Sequence, residues 1–284
     1  MNGDRLDVAL LAAGLARSRS HARRIIEEGR ARVDGRAAAK PSAPVGADAL
    51  LEVVDVPDGV EFASRAAHKL AGALDALGTA APAVTGRRAL DAGASTGGFT
   101  DVLLRRGAAA VIAVDIGHDQ LVEHVRTDPR VTVRDGTSVR DLTPELLGTA
   151  VDLIVADLSF ISLRTVIPAL AGVVRCDGEL LLMVKPQFEV GRAALPRTGV
   201  VGDEAARVGA VRGVAEAAAR AGLRTVAVGP SALPGQDGNR EYFLHLRPHG
   251  ATSALDAQAC DMIESAVRRD GPRHRRDQHT TEED

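Results

Sequence analysis

The chain has 284 residues, of which 45% are hydrophobic and 26% are charged, so its composition is that of a globular protein with room for one large and one small domain. No apolar run approaches the length of about 18 residues that a membrane helix needs, and the polar first residues lack the apolar core of a signal peptide. The two cysteines, Cys176 and Cys260, match no metal-ligand spacing. We therefore expect a cytoplasmic protein without disulfides, without a metal site and without an obligate protein partner.

The net charge of −3 is unevenly distributed along the chain. Residues 1–40 carry nine basic and five acidic residues, which gives +4, so the remaining residues sum to −7. A basic segment on an acidic body is typical of a nucleic-acid-binding appendage, although a solvated charged face explains the same pattern. Only three of the 35 basic residues are lysines, Lys40, Lys69 and Lys185. A lysine is therefore a candidate for a function that needs a removable proton, which arginine cannot supply.

Residues 1–60 predict a small α+β domain. Apolar residues at helical spacing, with glycines after them, predict two short helices within residues 4–30. Segment 31–35 is typical of a strand that ends in a tight turn, and segment 49–54 is typical of another strand. The intervening stretch 37–48, rich in Ala, Pro and Gly, is interpreted as a loop.

Residues 61–269 predict a larger α/β domain. A helix over 64–79 is followed by apolar runs that alternate with helices, which is typical of a parallel sheet covered on both faces. The last two strands flank a Gly/Pro-rich loop and are expected to pair as an antiparallel hairpin. The predicted strands cover 89–91, 110–115, 131–133, 151–157, 179–185, 225–229 and 242–246, and the later helices cover 98–106, 117–126, 143–147, 163–174, 203–221 and 253–268. The polar tail 270–284 is expected to be disordered.

A glycine-rich turn follows the first strand of this larger domain, in Asp91-Ala-Gly-Ala-Ser-Thr-Gly-Gly-Phe-Thr100. Such a turn lets the backbone approach a ligand at the start of the next helix, but alone it also suits a dinucleotide or a tight turn with no ligand. Asp91 offers a carboxylate to the cationic methionine end of S-adenosylmethionine, and Asp115 ends the second strand, where a carboxylate accepts ribose hydroxyls. The two acids favour S-adenosylmethionine over the alternatives.

The residues expected to contact this cofactor are Asp91, Gly93, Ser95, Thr96, Gly97, Gly98, Phe99 and Asp115. Asp135, after the third strand, is a further candidate for the adenine edge, with a solvated turn residue as the alternative.

Two further charged residues follow strands of the same sheet. Asp157 ends the fourth strand and Lys185 ends the fifth. Ligands of open parallel sheets bind at these carboxyl ends. Either residue alone is most simply a loop salt bridge, but the two together beside a methyl-donor turn favour a catalytic role.

Several motifs resemble known families. Arg5-Leu-Asp7, Ser18-Arg19 and Val33-Asp-Gly35, with apolar residues between them, resemble the S4 RNA-binding domain. Longer motifs are similar to those of the TlyA family, whose members are named as haemolysins and resemble FtsJ-type ribose methyltransferases. These motifs are Ser64-Arg-x-x-His-Lys-Leu70, Asp91 to Asp101, Ala156-Asp-Leu-Ser-Phe-Ile-Ser-Leu163, Val184-Lys-Pro-Gln-Phe-Glu-Val-Gly191 and Gly238-Asn-x-Glu-Tyr-Phe243.

The resemblance spans about residues 4–247 and implies a Rossmann-like S-adenosylmethionine-dependent methyltransferase that modifies cytidine 2′-hydroxyls of ribosomal RNA in ribosomal subunits. It also implies a catalytic tetrad of Lys69, Asp157, Lys185 and Glu241. Lys185 is the candidate base, Lys69 the neighbouring cation, and the two acids orient the amines. The methyl donor is already activated, so no metal is required.

The first 60 residues are expected to bind RNA mainly through its phosphates, using Arg5, Arg17, Arg19, Arg23 and Arg24. At two positions the sequence departs from the family pattern. Ala66 lies near the short linker at the start of the larger domain, and Ser138 lies on the adenine side of the expected cofactor site. The alternatives are a membrane-active haemolysin, which needs a long apolar or strongly amphipathic segment, and a non-catalytic RNA-binding protein.

Overall fold

The computed structural model describes residues 4–16, 18–27, 29–38, 40–46, 48–54, 62–235, 237–250 and 254–270. The chain divides into two compact units, Met1–Arg65 and Ala66–Asp284. Residues 271–284, most of the tail predicted to be disordered, lie outside the described residues.

The described residues of the first unit form two helices and two small antiparallel sheets around a core that includes Leu6, Leu10 and Ile25. Both predicted helices are confirmed. Strands β3, β2 and β5 form one sheet, and β1 pairs with β4. The elements are β1 (Asp4–Arg5), α1 (Leu6–Ala12), α2 (Arg19–Glu27), β2 (Ala31–Val33), β3 (Arg36–Ala37), β4 (Pro44–Val45) and β5 (Leu51–Val53).

The prediction of a loop over 37–48 is wrong at its first residue and at residues 44–45. Ala37 closes β3, and Pro44–Val45 pairs with Asp4–Arg5 as β4. Two-residue strands have too few side chains for an alternating pattern to stand out in sequence, so only their pairing partners reveal them.

The second unit is a three-layer α/β domain. Its helices are α3 (Arg65–Leu77), which begins at the boundary between the units, α4 (Gly98–Arg105), α5 (Glu123–Arg126), α6 (Pro144–Leu147), α7 (Leu163–Val173), α8 (Pro186–Glu189), α9 (Glu204–Arg220) and α10 (Ala257–Arg269). Its strands are β6 (Arg88–Ala92), β7 (Ala110–Val114), β8 (Val131–Arg134), β9 (Val151–Ala156), β10 (Val174–Val184), β11 (Leu223–Pro230) and β12 (Tyr242–Pro248).

One seven-stranded sheet runs through this unit in the order β11-β12-β10-β9-β6-β7-β8. Strands β6 to β10 are mutually parallel, and β12 is antiparallel to both β10 and β11. The predicted parallel sheet and terminal hairpin are thus confirmed. Central residues such as Leu90, Ile154 and Leu182 are fully buried, because helices cover both faces of the sheet.

The helix predicted over 117–126 is wrong in its first part, since α5 covers only Glu123–Arg126. The preceding loop is held by acidic side chains instead. Asp115 Oδ1 accepts a hydrogen bond from Gly117 N at 2.7 Å, and Asp135 Oδ2 accepts one from Asp119 N at 3.0 Å. Asp119 itself has a φ of +53°, which is outside the right-handed helical region.

The strand predicted over 179–185 extends further back than expected, because β10 begins at Val174. Its register against β9 shifts between Val174 and Glu179. No helix in the described part of the chain is long and apolar enough to cross a membrane.

Candidate active site and arginine cluster

The sheet places four charged residues at one of its edges. Asp91 lies near the carboxyl end of β6, Asp157 directly follows β9 and Lys185 directly follows β10. Glu241 directly precedes β12, which runs antiparallel to β10 with Tyr242 opposite Val184. The start of β12 therefore meets the ends of the parallel strands, and Glu241 joins the same edge.

In the glycine turn after β6, two positions have no room for a side chain and have a backbone conformation that favours glycine. Gly93 has a φ of +86°, and a Cβ there would lie 2.8 Å from the Asp157 carbonyl oxygen. Gly97 has a φ of +95°, and a Cβ there would lie 3.0 Å from the side chains of Leu121 and Val125. Glycine is required at both positions because of the conformation and the space.

Residues of the turn differ in what they expose. Ser95 and Thr96 are exposed, whereas Gly98 begins α4 and is buried. Phe99 is also buried, with its ring centroid 6.1 Å from that of Phe243. Phe99 thus packs in the wall behind the turn, which favours a structural role for this ring.

Asp91 is fully buried, and only one of its two carboxylate oxygens accepts a hydrogen bond from the described residues. Its Oδ2 accepts a hydrogen bond from the Thr100 hydroxyl at 2.7 Å. Its Oδ1 is buried too, and none of the described residues donates a hydrogen bond to it. Burial raises the pKa of Asp91 to about 7, the Thr100 hydrogen bond opposes this rise, and the nearby carboxylates of Asp157 and Asp115 add to it. A buried acceptor in this state is suited to a cationic donor.

Asp115 and Asp135 both order loops around the turn. Asp115 Oδ2 accepts a hydrogen bond from Ser95 N at 2.8 Å while its Oδ1 accepts one from Gly117 N, so this carboxylate joins the glycine turn to the loop after β7. Asp135 is tied to Asp119 N in the same loop. Each carboxylate oxygen has a second lone pair, so these contacts leave capacity for a ligand.

The four tetrad candidates form two ion pairs. Lys69 Nζ lies 2.5 Å from Glu241 Oε2, and Lys185 Nζ lies 2.6 Å from Asp157 Oδ1. Lys69 and Lys185 are 7% and 9% exposed, and Glu241 is 3% exposed. Two lysines and two carboxylates give a set with no net charge, which is a condition for burying charged groups.

Ser159 is a site residue that the sequence analysis missed. Lys185 Nζ donates a hydrogen bond to Ser159 Oγ at 2.9 Å, in addition to its pairing with Asp157. Its position two residues after Asp157 is the only signal in the sequence. In a strand such spacing would return a side chain to the same face, but β9 ends at Ala156, so the spacing alone could not assign this contact.

A buried glutamate joins the two loops that hold Asp157 and Lys185. Glu189, at the end of α8, accepts hydrogen bonds from the Ser162 hydroxyl at 2.5 Å and from Leu163 N at 2.7 Å. The loop between β9 and α7 also carries Phe160, which is 92% exposed, has a φ of +63° and lies 5.3 Å from the Phe188 ring. Glu189 thus fixes the loop that follows Asp157 against the helix that follows Lys185.

Asn239 plays a comparable part beside Glu241. Its side chain is 1% exposed, accepts a hydrogen bond from Val201 N at 3.0 Å and donates one to the Gly199 carbonyl at 2.9 Å. The amide thereby uses both of its ends to hold the 199–201 loop next to Glu241, which accounts for an asparagine in this motif.

In the first unit, the predicted RNA-binding arginines divide into two groups. Arg5, Arg19 and Arg23 surround the carboxylate of Asp7. Arg24 is only partly exposed and donates from Nη1 to the Ala63 carbonyl at 3.1 Å. Arg17 lies outside the described residues.

Comparison with known proteins agrees with this architecture. Residues 62–248 match the model of the FtsJ-like methyltransferase family, and residues 4–51 match that of the S4 domain. The fold and the matched models define a methyltransferase of the FtsJ-like class with an S4 domain at its amino-terminal side.

Individual relatives narrow this class. The chain is 50% identical over 265 residues to the 16S/23S rRNA (cytidine-2′-O)-methyltransferase TlyA of Mycobacterium tuberculosis, covering 93% of this chain and 96% of that protein. It is 33% identical to Hemolysin A of Brachyspira hyodysenteriae, covering 85% of this chain and 98% of that protein. A solved structure of a hemolysin-named protein from Streptococcus thermophilus superposes with a TM-score of 0.73 at 30% identity, covering 95% and 96%. The chain belongs to the TlyA family.

The raised pKa of Asp91 gives a prediction for stability without ligand. The folded state holds this proton at pH values where the unfolded carboxyl has lost it, so this group lowers the free energy of unfolding as pH rises from about 4 to about 7. Asp91→Asn keeps an acceptor for Thr100 but cannot ionise. We expect a higher melting temperature than wild type at pH 8 and a smaller difference at pH 5. Identical melting temperatures of the two proteins at pH 8 would contradict the assignment.

Proposed function

We propose that this chain transfers a methyl group from S-adenosylmethionine to the 2′-hydroxyl of a cytidine in ribosomal RNA, within ribosomal subunits. In this proposal residues 1–60 bind the RNA and residues 61–269 carry out the transfer. The observation that carries it is the pairing of two buried lysines with two carboxylates at the sheet edge that also holds the glycine turn. The 50% identity to the 16S/23S rRNA (cytidine-2′-O)-methyltransferase TlyA of Mycobacterium tuberculosis supports the choice of substrate.

The residues around the turn fit the proposed methyl donor. The unsatisfied, buried Oδ1 of Asp91 suits the ammonium of a methionine group, and the absence of a side chain at Gly93 leaves room above the Asp157 carbonyl. Asp115, with one lone pair left on each oxygen, suits a pair of ribose hydroxyls. When bound, S-adenosylmethionine supplies a methyl group on a positively charged sulfur, so the chemistry needs alignment and removal of one proton.

Lys185 is the proposed base, and its two partners determine how it would work. A neutral lysine amine has two N–H bonds and one lone pair. Lys185 Nζ donates to Ser159 Oγ and lies 2.6 Å from Asp157 Oδ1 in an ion pair. With one N–H bond held by Ser159, the lone pair of the neutral amine is the group that accepts the ribose proton in this proposal. Asp157 then stabilises the ammonium that forms.

Lys69 and Glu241 form the second ion pair of the proposed site. Lys69 places a second cation at the same sheet edge, and Glu241 neutralises it through the 2.5 Å contact. In this proposal Lys69 is the neighbouring cation of the Lys185 base. Glu241 supplies the counter-ion that allows Lys69 to occupy a buried position.

Removal of the Asp115 carboxylate tests the donor site. We expect calorimetry to show that Asp115→Ala binds S-adenosylmethionine at least tenfold more weakly, since the variant loses the proposed ribose contact and the link to Ser95 N. Asp177→Ala serves as the control, because Asp177 lies in the first part of β10, away from the carboxyl ends of the strands. Wild-type affinity in Asp115→Ala contradicts the assignment.

The role of Lys185 is tested by separating charge from basicity. Lys185→Arg keeps a cation that can still pair with Asp157, but a guanidinium cannot act as a base at physiological pH. We expect the single-turnover rate on native ribosomal subunits to fall by about 10² to 10⁴, with donor affinity unchanged. Lys40→Arg, the same substitution at an exposed position, should keep the wild-type rate. A near-normal rate in Lys185→Arg means that this residue is not the base.

The proposed RNA contacts of the first unit predict a change in salt dependence. Arg19→Ala/Arg23→Ala should weaken binding to deproteinised ribosomal RNA and should flatten the plot of log affinity against log salt by about 0.7 to 0.9 for each phosphate that the variant no longer binds. Arg220→Ala removes one exposed arginine from α9 and serves as a control for a simple loss of charge. An unchanged slope in the double variant would show that these arginines do not bind phosphates.

A further inference from the structure

A single buried carboxylate lies at the centre of the arginine cluster. Asp7 is in the first turn of α1 and is fully buried. Arg5 binds both of its oxygens, with Nε 3.0 Å from Oδ1 and Nη2 3.1 Å from Oδ2. Arg23 Nε lies 3.2 Å from Oδ2, and Arg19 Nη2 lies 3.5 Å from the same oxygen. Three guanidinium groups thus share one acceptor.

The cluster has more positive charge than Asp7 can neutralise. One carboxylate among three guanidinium groups leaves a local charge of +2. The side chains of Arg5, Arg19 and Arg23 are each about half exposed, at 46%, 55% and 53%. Each has nitrogens that the contact with Asp7 does not use, such as the two terminal nitrogens of Arg23, which reaches Asp7 only through Nε. Asp7 therefore holds the guanidinium groups by one side and leaves the other side for a ligand.

We propose that Asp7 is a positioning residue for RNA binding, which sets the three guanidinium groups at fixed places so that they meet phosphates without first losing conformational freedom. This inference rests on the proposed RNA binding by the first unit. A free arginine side chain has many rotamers, and immobilising it on binding opposes affinity. Because Asp7 already immobilises the cluster in the unbound protein, part of that loss occurs during folding instead.

Positioning by Asp7 and simple electrostatics predict opposite effects of Asp7→Asn on RNA affinity. Asp7→Asn removes a negative charge and makes the cluster more positive. If only the net charge mattered, the variant would bind the polyanion as tightly as wild type or more tightly. If position matters, the variant binds more weakly, because the amide group places N–H donors against the guanidinium N–H groups and releases the arginines.

The test compares full-length wild type, Asp7→Asn and Asp48→Asn for binding to deproteinised ribosomal RNA at three salt concentrations. Asp48 is exposed and is not the ion-pair partner of Arg5, Arg19 or Arg23, so Asp48→Asn makes the same chemical change in the same unit. We expect Asp7→Asn to bind about tenfold more weakly, a size that corresponds to freeing one or two arginine side chains. We expect Asp48→Asn to bind as tightly as wild type or slightly more tightly. Thermal unfolding of each variant establishes that the chain is folded.

The Arg19→Ala/Arg23→Ala variant separates the two ways in which this could fail. If that variant binds RNA as wild type does, the proposed RNA contacts are wrong. If it binds more weakly while folded Asp7→Asn binds equally or more tightly than wild type, the contacts stand and the positioning role of Asp7 is overturned.

A second variant decides the matter if Asp7→Asn does not fold. Arg19→Lys/Arg23→Lys changes two exposed side chains and keeps their charge, but a lysine cannot hold a planar group against Asp7. Weaker RNA binding by this folded variant supports positioning, since net charge is unchanged. Wild-type affinity at all three salt concentrations overturns it.

Discussion

The antiparallel pairing of β12 with β10 is the constraint on which the arrangement of the four tetrad candidates depends. In a sheet of parallel strands only the residues after each strand reach the carboxyl edge. Because β12 runs the other way, with Tyr242 opposite Val184, the residue before β12 reaches that edge as well. Glu241 can therefore pair with Lys69 from α3 while Lys185 pairs with Asp157. A parallel β12 would place Glu241 at the opposite end of the sheet and leave Lys69 without its carboxylate.

Because these ion pairs are buried, the stability of the protein depends on both partners of each pair. Removing one partner of a buried pair leaves an uncompensated charge, which destabilises a protein by about 3–5 kcal/mol, whereas two charges held together are tolerated. The supporting contacts fit this requirement. Glu189 fixes the loop after Asp157 against the helix after Lys185, and Asn239 fixes the 199–201 loop beside Glu241. The loops that carry the charged groups are thus held by side chains that are themselves buried and hydrogen-bonded.

The sequence predicted what depends on strong local patterns. Apolar runs such as 151–156 indicated the parallel strands, and the acids and lysine after them could be placed at the site because a parallel sheet has one carboxyl edge. What failed depends on tertiary contacts. Residues 117–122 have a helical pattern but form a loop, since Asp115 and Asp135 bind its backbone. Ser159 and Asn239 could not be assigned roles, because their partners Lys185 and Val201 are 26 and 38 residues away. The grouping of three arginines on Asp7 likewise joins α1 to α2 and has no signature in spacing.

The burial of Lys69 and Lys185 also determines how the protein responds to reagents that attack amines. The chain has only three lysine side chains, and two of them are buried in ion pairs at the sheet edge. Lys40, in the first unit, is exposed. Acylating reagents at mild pH therefore meet one accessible lysine side chain, which belongs to a different unit from the tetrad candidates. A fluorophore or cross-linker joined to Lys40 would report on the S4 domain while leaving both buried amines chemically intact.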